Sequence, residues 1–278
     1  MPSDESSDLA AALRSLRAES GLTAATVARR AGMSTAKLSK LENARILPTV
    51  ADVERILTAL QTPPAVRQRL LALTRAAVIE QRAWRVYHRL GFHKKQVEIA
   101  AIEAQSSHIR IFQPAMVPGL LQTAEYVRSI FDGRPDLSQE EQGRTVNDRL
   151  RRQEVLYDSS KEFTFLVCEA SLRWRTLTGV AMANQVDRIT SLSKMPNITV
   201  GIIPFDGLKT DFPMTAFCMF DRRLVTVETF HAEISSRDPK DIEVHLDVFR
   251  EMGGLALHGD DARAFLDEVA TELRQAGD

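Results

Sequence analysis

Short polar and cationic side chains recur at helical spacing between residues 34 and 45, where their chemistry suits contact with nucleic acid. The candidate residues are Thr35, Ala36, Lys37, Ser39, Lys40, Asn43 and Arg45. A hydroxyl group can hydrogen-bond to several base edges, and a lysine ammonium can reach O6 or N7 of guanine in the major groove. Small side chains let a helix approach the bases closely. A solvated helix face is the alternative for these residues taken alone.

Apolar positions within the same segment predict how these side chains are presented. At about 100° per residue, Leu38 and Leu41 point in one direction, and Ser39 and Lys40 point away from it. Arg45, which follows the helix, is better placed to contact a phosphate than a base edge. We therefore predict a recognition helix over about residues 34–43.

Helix start and stop signals surround this segment and define a small helical module. Thr23 and Ser34 are predicted N-caps, and Gly21 and Gly32, each followed by an apolar residue, are predicted helix ends. Two short helices separated by a tight turn are typical of a helix-turn-helix. Further helices are predicted over residues 8–20, after a capping box at residues 49–52, and along residues 64–91.

Residues 9–60 resemble an XRE-type, lambda-repressor-like DNA-binding domain. The matching segments are LRSLRAESGLT, VARRAGMS, LSKLENARILPT and VERILTAL. The resemblance implies base-edge contacts from Thr35, Ala36, Ser39 and Lys40, and phosphate contacts from Asn43 and Arg45. The sequence departs from the family at Ala24, where a polar residue such as glutamine is common, and at Ala44, where glycine is common.

Charge is distributed unevenly along the 278 residues, although the formal net charge is only −1. Residues 1–90 contain 14 Lys and Arg against 8 Asp and Glu, whereas residues 91–278 contain 22 against 29. A basic N-terminal module on an acidic body is the pattern expected when only that end meets phosphates. We predict a helix-turn-helix DNA-binding domain over residues 1–90 and an α+β regulatory and dimerisation domain over residues 91–278.

The C-terminal half mixes helices with short apolar strands, so the predicted fold class is mainly α with an α+β second domain that holds a small sheet. Capping signals at Thr123 and Ser138 open two of its helices. Strands are predicted over residues 163–167, 198–203, 215–220 and 224–228. Further helices are predicted over residues 172–178, 182–195, 240–252 and 260–274, and residues 99–112 are predicted as helix or as helix followed by strand.

Residues 100–275 resemble the uncharacterised C-terminal domain that follows an XRE-type module in many regulators of actinomycetes. The matching segments are FQPAMVPGLLQTAEYVRSIF, RLRRQEVLY, MPNITVGIIPF and LVTVETF. Because members of that family are often encoded beside small partner proteins, the resemblance implies a transcription factor controlled by a small regulatory protein.

Signatures of catalysis are absent from the C-terminal sequence. Its glycines are scattered, so no phosphate-cradling loop follows a strand, and the six histidines lack the spacing of metal ligands. Cys168 and Cys218 each lie in an apolar stretch, which predicts buried thiols. We expect no enzymatic activity, no cofactor and no metal.

Two apolar segments of the C-terminal half are candidates for interaction surfaces. Residues 204–213 contain two phenylalanines between predicted strands, so this loop is expected to pack on its own sheet or, alternatively, to cover a pocket or contact a partner. Residues 113–121 are predicted to form an interface or a core connection.

A homodimer is expected because one recognition helix reads only a few base pairs, whereas two half-sites multiply the specificity. The C-terminal domain is the predicted source of the dimer interface. The polar, acidic first eight residues are unlike a signal peptide, and no apolar run reaches membrane-spanning length, so we predict a cytoplasmic protein. A small-molecule pocket in the C-terminal domain or, less favoured, an enzyme domain fused to the DNA-binding module are the alternatives.

Overall fold

The computed structural model describes residues 4–46, 48–83, 92–132, 137–207, 212, 214–229 and 232–276. The chain divides into two compact units. The first comprises Met1–Gln81 with Ile234–Asp241, and the second comprises Arg82–Glu233 with Ile242–Asp278. The predicted domain boundary at residues 90 and 91 lies outside the described residues and stays a prediction.

Among the described residues, the first unit contains five helices and the first three residues of one strand, together with the end of a second strand. The helices are α1 (Asp4–Glu19), α2 (Ala24–Arg30), α3 (Thr35–Glu42), α4 (Val50–Ala59) and α5 (Pro64–Val78), and the first strand is β1 (Ile79–Ala83). The predicted N-caps are confirmed, because Thr23 accepts a hydrogen bond from the Thr26 amide and Ser34 accepts one from the Lys37 amide. At α4 the predicted capping box is complete, with both reciprocal bonds present.

Tight connections in this unit use the left-handed region of backbone space. Gly21 and Gly32 have φ angles of +67° and +62°, as expected for glycines that follow helix ends. Ala44 and Gln61 adopt the same conformation, with φ angles of +51° and +53°. A side chain with a Cβ atom is disfavoured there, so these two positions carry local backbone strain.

A single apolar core joins the helices of the first unit. Leu9 and Leu13 of α1 and Leu38 and Leu41 of α3 are at most 1% exposed. Val27, Ala28, Val53, Ile56, Leu57 and Leu70 complete the contacts from the neighbouring helices. The leucine face predicted for the recognition helix is therefore the face that anchors it in the fold.

The helix predicted along residues 64–91 ends earlier than expected. It stops at Val78, and residues 79–83 form strand β1 instead. Pairing within a sheet depends on residues far along the chain, and such pairing overrides local helix propensity. Residues 84–91, which the same prediction included, are not among the described residues.

In the described residues of the second unit, seven α-helices pack around a mixed sheet. The helices are α6 (Phe92–Ala104), α7 (Ala124–Phe131), α8 (Gln139–Arg152), α9 (Glu169–Arg173), α10 (Gly179–Leu192), α11 (Pro239–Gly254) and α12 (Gly259–Gln275). The strands are β2 (His108–Gln113), β3 (Glu162–Cys168), β4 (Ile198–Ile203), β5 (Phe217–Phe220), β6 (Leu224–Glu228) and β7 (Ala232–Ser236). The last three residues of β7 and the first three of α11 belong to the first unit.

The strands of this sheet lie in the order β7-β6-β5-β2-β3-β4. Strands β2, β3 and β4 are parallel, with Ile109 opposite Phe163 and Phe163 opposite Ile198. The connections through β5 and β6 are antiparallel. This mixed sheet confirms the predicted α+β fold class and adds β7, which the sequence analysis did not predict.

Alternate residues of the strands supply the two faces of the sheet. Phe163, Phe165 and Val167 of β3 belong to one cluster with α10 and α12, whereas Leu166 and Cys168 belong to the other cluster with α11. This period of two is what a strand buried on both faces requires. Helices therefore cover both sides of the sheet.

Most predicted boundaries in this unit lie close to the observed ones. Residues 99–112 adopt the helix-then-strand alternative, and the long helix after Ser138 ends at Arg152, where the 3-10 helix Gln153–Tyr157 follows. The helix predicted over residues 172–178 is wrong in position, because α9 ends at Arg173. Buried Leu172 fixes this short helix against the core one turn earlier than its sequence predicted.

Candidate functional site

The exposed face of α3 carries four of the predicted base-contacting residues. Thr35, Ala36, Ser39 and Lys40 are all solvent-exposed. They are presented by a helix whose N-cap is Ser34 and whose opposite side is buried. The surface offers hydroxyls, a methyl group and an ammonium, which are the groups that hydrogen-bond and pack against base edges.

Asn43 and Arg45 lie at the C-terminal end of the same helix and are also exposed. The Asn43 side-chain amide donates to the carbonyl oxygen of Ser39 at 2.7 Å, and its Oδ1 accepts from Arg14 at 3.5 Å. The Arg45 amide donates to the carbonyl oxygen of Lys40 at 2.8 Å. Asn43 thus closes the helix end, and Arg45 follows it with its guanidinium exposed.

Lys37 differs from Lys40 because its ammonium is bound within the protein. Lys37 Nζ lies 2.8 Å from Asp52 Oδ1, and Arg55 Nη2 lies 2.6 Å from the same oxygen. Burial raises the pKa of Asp52, but the hydrogen bonds from Lys37, Arg55 and Thr49 outweigh it, so the pKa is lowered overall. The sequence analysis missed this ion pair, which links α3 to α4 across 15 residues of sequence.

A second ion pair fixes α3 against α1. Arg17 Nε lies 2.7 Å from Glu42 Oε1, and Arg17 Nη2 lies 3.0 Å from Glu42 Oε2. This bidentate geometry is the strongest that a guanidinium and a carboxylate form. The hydrogen bonds with Glu42 raise the pKa of Arg17 despite the opposing effect of burial. The recognition helix is held from both ends by charged contacts as well as by its leucines.

The second unit contains a cavity of about 300 Å³ that the sequence analysis did not predict. Its apolar walls include Ile99, Ile102, Ile111, Met116, Phe131, Phe217 and Phe220. Its charged lining consists of Lys95, Glu103, Arg149, Arg152, Glu228 and Glu233. Three cations and three carboxylates at one cavity are unusual, because charged side chains are almost never buried without partners.

Two of the arginines that line this cavity each have a side-chain nitrogen without a hydrogen-bond partner among the described residues. Arg152 Nη1 donates to Gln96 Oε1 at 2.7 Å, and Arg149 Nη1 donates to Gln122 Oε1 at 3.3 Å. The Nε atoms of both arginines are buried and have no hydrogen-bond partner in the described part of the chain. Arg152 Nε lies 3.3 Å from Glu103 Oε2, a charge contact without hydrogen-bond geometry.

The carboxylates of the cavity differ in their pairing. Glu233 is paired with Lys95. Burial raises the pKa of Glu103 to about 7, against the opposing charges of Arg152 and Lys161. Desolvation by the surrounding side chains and the nearby Glu233 raise the pKa of Glu228, which lines the cavity.

The two cysteines occupy different environments. Cys168 is 6% exposed, as predicted for a buried thiol, whereas Cys218 is half-buried and lines the cavity. Burial raises the pKa of Cys218 to about 12. A thiol with this pKa stays protonated near neutral pH and is a weak nucleophile.

The loop over residues 204–213 does not pack its aromatic side chains on the sheet. Phe205 is 61% exposed and Phe212 is 80% exposed, so the packing alternative was wrong for these two residues. The Phe205 amide donates to Glu169 Oε2 at 2.7 Å, which links the beginning of this segment to α9. Residues 113–121 form a core connection, since Val117 is fully buried.

The described residues contain neither a candidate metal site nor a candidate membrane span. No group of three or more His, Cys, Asp or Glu side chains among them is arranged to hold a metal ion. None of the helices described is both long enough and apolar enough to cross a bilayer.

The exposed helix of a helix-turn-helix, basic at its outer face, defines the N-terminal unit as the DNA-binding part of a regulator. Residues 8–70 match the model of a helix-turn-helix domain, and residues 96–268 match the model of the family described as "Domain of unknown function (DUF5753)". The second match spans more than half of the chain, which therefore belongs to the DUF5753 family and carries a helix-turn-helix domain at its N-terminus. No curated protein matched the chain.

Several solved structures resemble the chain weakly. NucT from Helicobacter pylori is 10% identical with a TM-score of 0.40, and the match covers 65% of this chain and 98% of that one. A phospholipase D family member, Nuc from Salmonella typhimurium, is 10% identical with a TM-score of 0.36 and the same coverage. TrmBL2, an archaeal chromatin protein, is 10% identical with a TM-score of 0.35 over 74% of this chain and 66% of that one. Likenesses this weak assign neither fold nor function.

Proposed function

We propose that the chain is a sequence-specific transcriptional regulator that places α3 in the major groove of DNA. The observation that carries this function is the division of α3 into two faces. Leu38 and Leu41 are buried in the core, and Ser39 and Lys40 lie on the exposed side. A helix anchored in this way can enter a groove without disturbing the fold behind it.

The side chains of α3 have different roles in this function. Thr35, Ala36, Ser39 and Lys40 contact base edges, and the exposed residues Asn43 and Arg45 contact phosphates. Lys37 was a candidate for the same surface, but its ion pair with Asp52 favours a positioning role in which it orients α3.

Alanine substitutions at Lys40 and Arg45 test this division between base and phosphate contacts. The probe is a duplex recovered by in vitro selection with the full chain, compared with a random duplex of equal length. Lys40→Ala weakens binding to the selected duplex by about 1–3 kcal/mol if its contact is bidentate, with little loss on random DNA. Arg45→Ala weakens binding to both duplexes alike and reduces the salt dependence by about one phosphate contact.

Fluorescence anisotropy over a range of salt concentrations measures these effects. Lys194→Ala is the matched control, because it removes the same charge from an exposed lysine in the second unit. Equal losses on selected and random DNA for Lys40→Ala would contradict the placement of α3 in the groove.

We also propose that the regulator is a homodimer assembled through its C-terminal domain. A single α3 contacts only a few base pairs, and a dimer places two such helices about 34–36 Å apart on successive major grooves. Light scattering of the full chain, with and without a palindromic duplex, measures the stoichiometry. A monomer that binds DNA as a single copy would contradict this assembly.

Control by a small protein partner in the cytoplasm completes this proposed function. Exposed apolar side chains near α9 support it, since Phe205 is 61% exposed and Trp174, which follows α9, is 71% exposed. Surface aromatic residues of this kind are enriched where proteins meet. In this function the C-terminal domain has no catalytic role.

The cavity of the second unit favours a second candidate function, ligand sensing. It combines apolar walls with a few converging polar groups, which is the usual composition of a small-molecule site. A regulator of this kind binds its effector in the C-terminal domain and changes its affinity for DNA.

A further inference from the structure

Two arginines of α8 face the same cavity with unused hydrogen-bonding capacity. Arg149 and Arg152 are three residues apart, so their side chains lie on one face of the helix. Both line the cavity, and the buried Nε atom of each lacks a hydrogen-bond partner among the described residues. A buried donor without an acceptor is unfavourable, so a bound acceptor would stabilise this arrangement.

The rest of the fold keeps this guanidinium pair in place. Gln96 and Gln122, which are 3% and 0% exposed, each accept one bond from an arginine. A Cβ atom on Gly119 would lie 2.9 Å from Arg152 Nη2, so the absence of a side chain there leaves space for the guanidinium. The ring of Phe131 lies 5.1 Å beneath Arg149. These contacts orient two cations while leaving their Nε atoms unsatisfied.

Nearby carboxylates do not neutralise the two arginines fully. Glu233 is committed to Lys95, and Glu103 contacts Arg152 without hydrogen-bond geometry. Glu228 interacts with both arginines through its charge. Burial also holds the pKa of Glu103 near 7, which reduces its negative charge at neutral pH. An anion between the arginines would supply acceptors for the two Nε atoms and relieve the mutual repulsion of the guanidinium groups. Burial lowers the pKa of Arg149, and the nearby Arg152 lowers it further.

The apolar walls restrict the class of anion. Isoleucine, methionine and phenylalanine side chains surround the remaining space of a cavity of about 300 Å³. A hydrated inorganic ion would leave these walls in contact with water, whereas a hydrocarbon group would cover them. The lining therefore fits a molecule with one anionic end and one apolar end.

We propose that the cavity binds a small organic acid, with its anionic group at Arg149 and Arg152 and its hydrocarbon part against Ile99, Ile111 and Phe220. This inference rests on the second candidate function, ligand sensing, and names the class of its effector. It is independent of how α3 contacts DNA.

Binding of hexanoate to the full chain tests the site directly by isothermal titration calorimetry and by thermal unfolding. Hexanamide has the same shape without the charge, and inorganic phosphate has the charge without the hydrocarbon. We expect hexanoate to bind and to raise the melting temperature, and the other two to bind at least tenfold more weakly. Absence of hexanoate binding, or equal binding of hexanoate and either control, would overturn the proposal.

Three variants locate the bound acid. Arg149→Gln is expected to weaken hexanoate binding at least tenfold by removing the charge. Arg188→Gln is the matched control, because Arg188 also has a buried, unsatisfied Nε and a glutamine acceptor but does not line the cavity. Ala216→Leu fills the cavity without changing any charge, so it keeps the test decisive if Arg149→Gln does not fold. Wild-type affinity in Ala216→Leu, or an equal loss in Arg188→Gln and Arg149→Gln, would place the acid elsewhere.

Anisotropy with the selected duplex, with and without saturating hexanoate, separates the site from its regulatory use. A changed DNA affinity in the presence of hexanoate supports both the binding site and its regulatory use. Binding of hexanoate with unchanged DNA affinity supports the site and contradicts ligand sensing by this acid.

Discussion

Two buried carboxylates, one in each unit, have opposite pKa shifts. Asp52 is 2% exposed and accepts hydrogen bonds from Lys37, Arg55 and Thr49, which lower its pKa although burial acts to raise it. Glu103 is also 2% exposed, but burial dominates and raises its pKa to about 7. The two shifts differ because Asp52 accepts several hydrogen bonds, whereas Glu103 lies deeper among other side chains and has only charge contacts.

The opposite pKa shifts correspond to different roles of the two carboxylates. Asp52 holds helices together, whereas Glu103 lies beside the cavity. Around Asp52 the donors come from α3, α4 and the cap of α4, so the carboxylate fixes the recognition helix. Around Glu103 the nearest cation, Arg152, is directed partly toward open space. Perturbed ionisable groups that line a cavity are more often functional than structural.

The largest expected effect is on the pH dependence of stability and comes from Glu103. Its pKa is near 4.5 when unfolded and about 7 when folded, so the folded state retains the proton longer. The contribution of Glu103 to the free energy of unfolding is therefore fully present below pH 4.5. It falls by up to about 3 kcal/mol as the pH rises through 7. Glu103→Gln cannot ionise, so this loss should disappear from urea unfolding curves measured at pH 5 and pH 8.

Glu154→Gln is the control for that measurement, because Glu154 is exposed at the surface of the second unit. This variant should keep the wild-type pH dependence. A drop in stability between pH 5 and pH 8 that is as large in Glu103→Gln as in the wild type would show that Glu103 ionises normally in the fold.

A smaller effect of opposite sign is expected at Asp52. Asp52→Asn removes the charge that Lys37 and Arg55 contact and should destabilise the first unit by about 2 kcal/mol at neutral pH. Because the folded pKa is lowered, the contribution of Asp52 is present above about pH 4 and is lost as pH falls below it. Unfolding followed by circular dichroism at pH 7 and pH 3 should show a difference between variant and wild type that narrows in acid.

Glu54→Gln on the same helix removes a half-buried carboxylate and controls for the loss of charge alone. It should change stability by much less than Asp52→Asn. An equal change in both variants would mean that the contacts of Asp52 contribute nothing beyond its charge.

Sequence alone predicted the parts of the fold that depend on near neighbours. The caps at Thr23, Ser34 and Thr49 and the buried face of Leu38 and Leu41 are encoded within a few residues, so periodicity and residue type were sufficient. The ion pair of Lys37 was not visible in this way, because its partner lies 15 residues away on another helix.

The cavity was beyond sequence analysis for the same reason. Glu103, Arg149 and Glu228 come from α6, α8 and β6, and only the packing of these elements brings them to one space. One signal was present, since Arg149 and Arg152 are three residues apart on a helix that was otherwise predicted. That spacing places the two cations on one face of the helix. It does not show whether this face is exposed to solvent or buried against the rest of the fold.

The smallest expected effect concerns the turn that follows the recognition helix. Ala44 adopts a φ angle of +51°, a conformation that glycine accepts without the steric cost of a Cβ atom. Ala44→Gly should stabilise the first unit by about 1 kcal/mol, in contrast to Ala11→Gly, which lies in the exposed middle of α1 and should destabilise it by a similar amount. Thermal unfolding should move the two melting temperatures in opposite directions. If both variants lower the melting temperature, the greater freedom of glycine in the unfolded chain outweighs the strain at Ala44. The left-handed conformation of Ala44 would then cost less free energy than expected here.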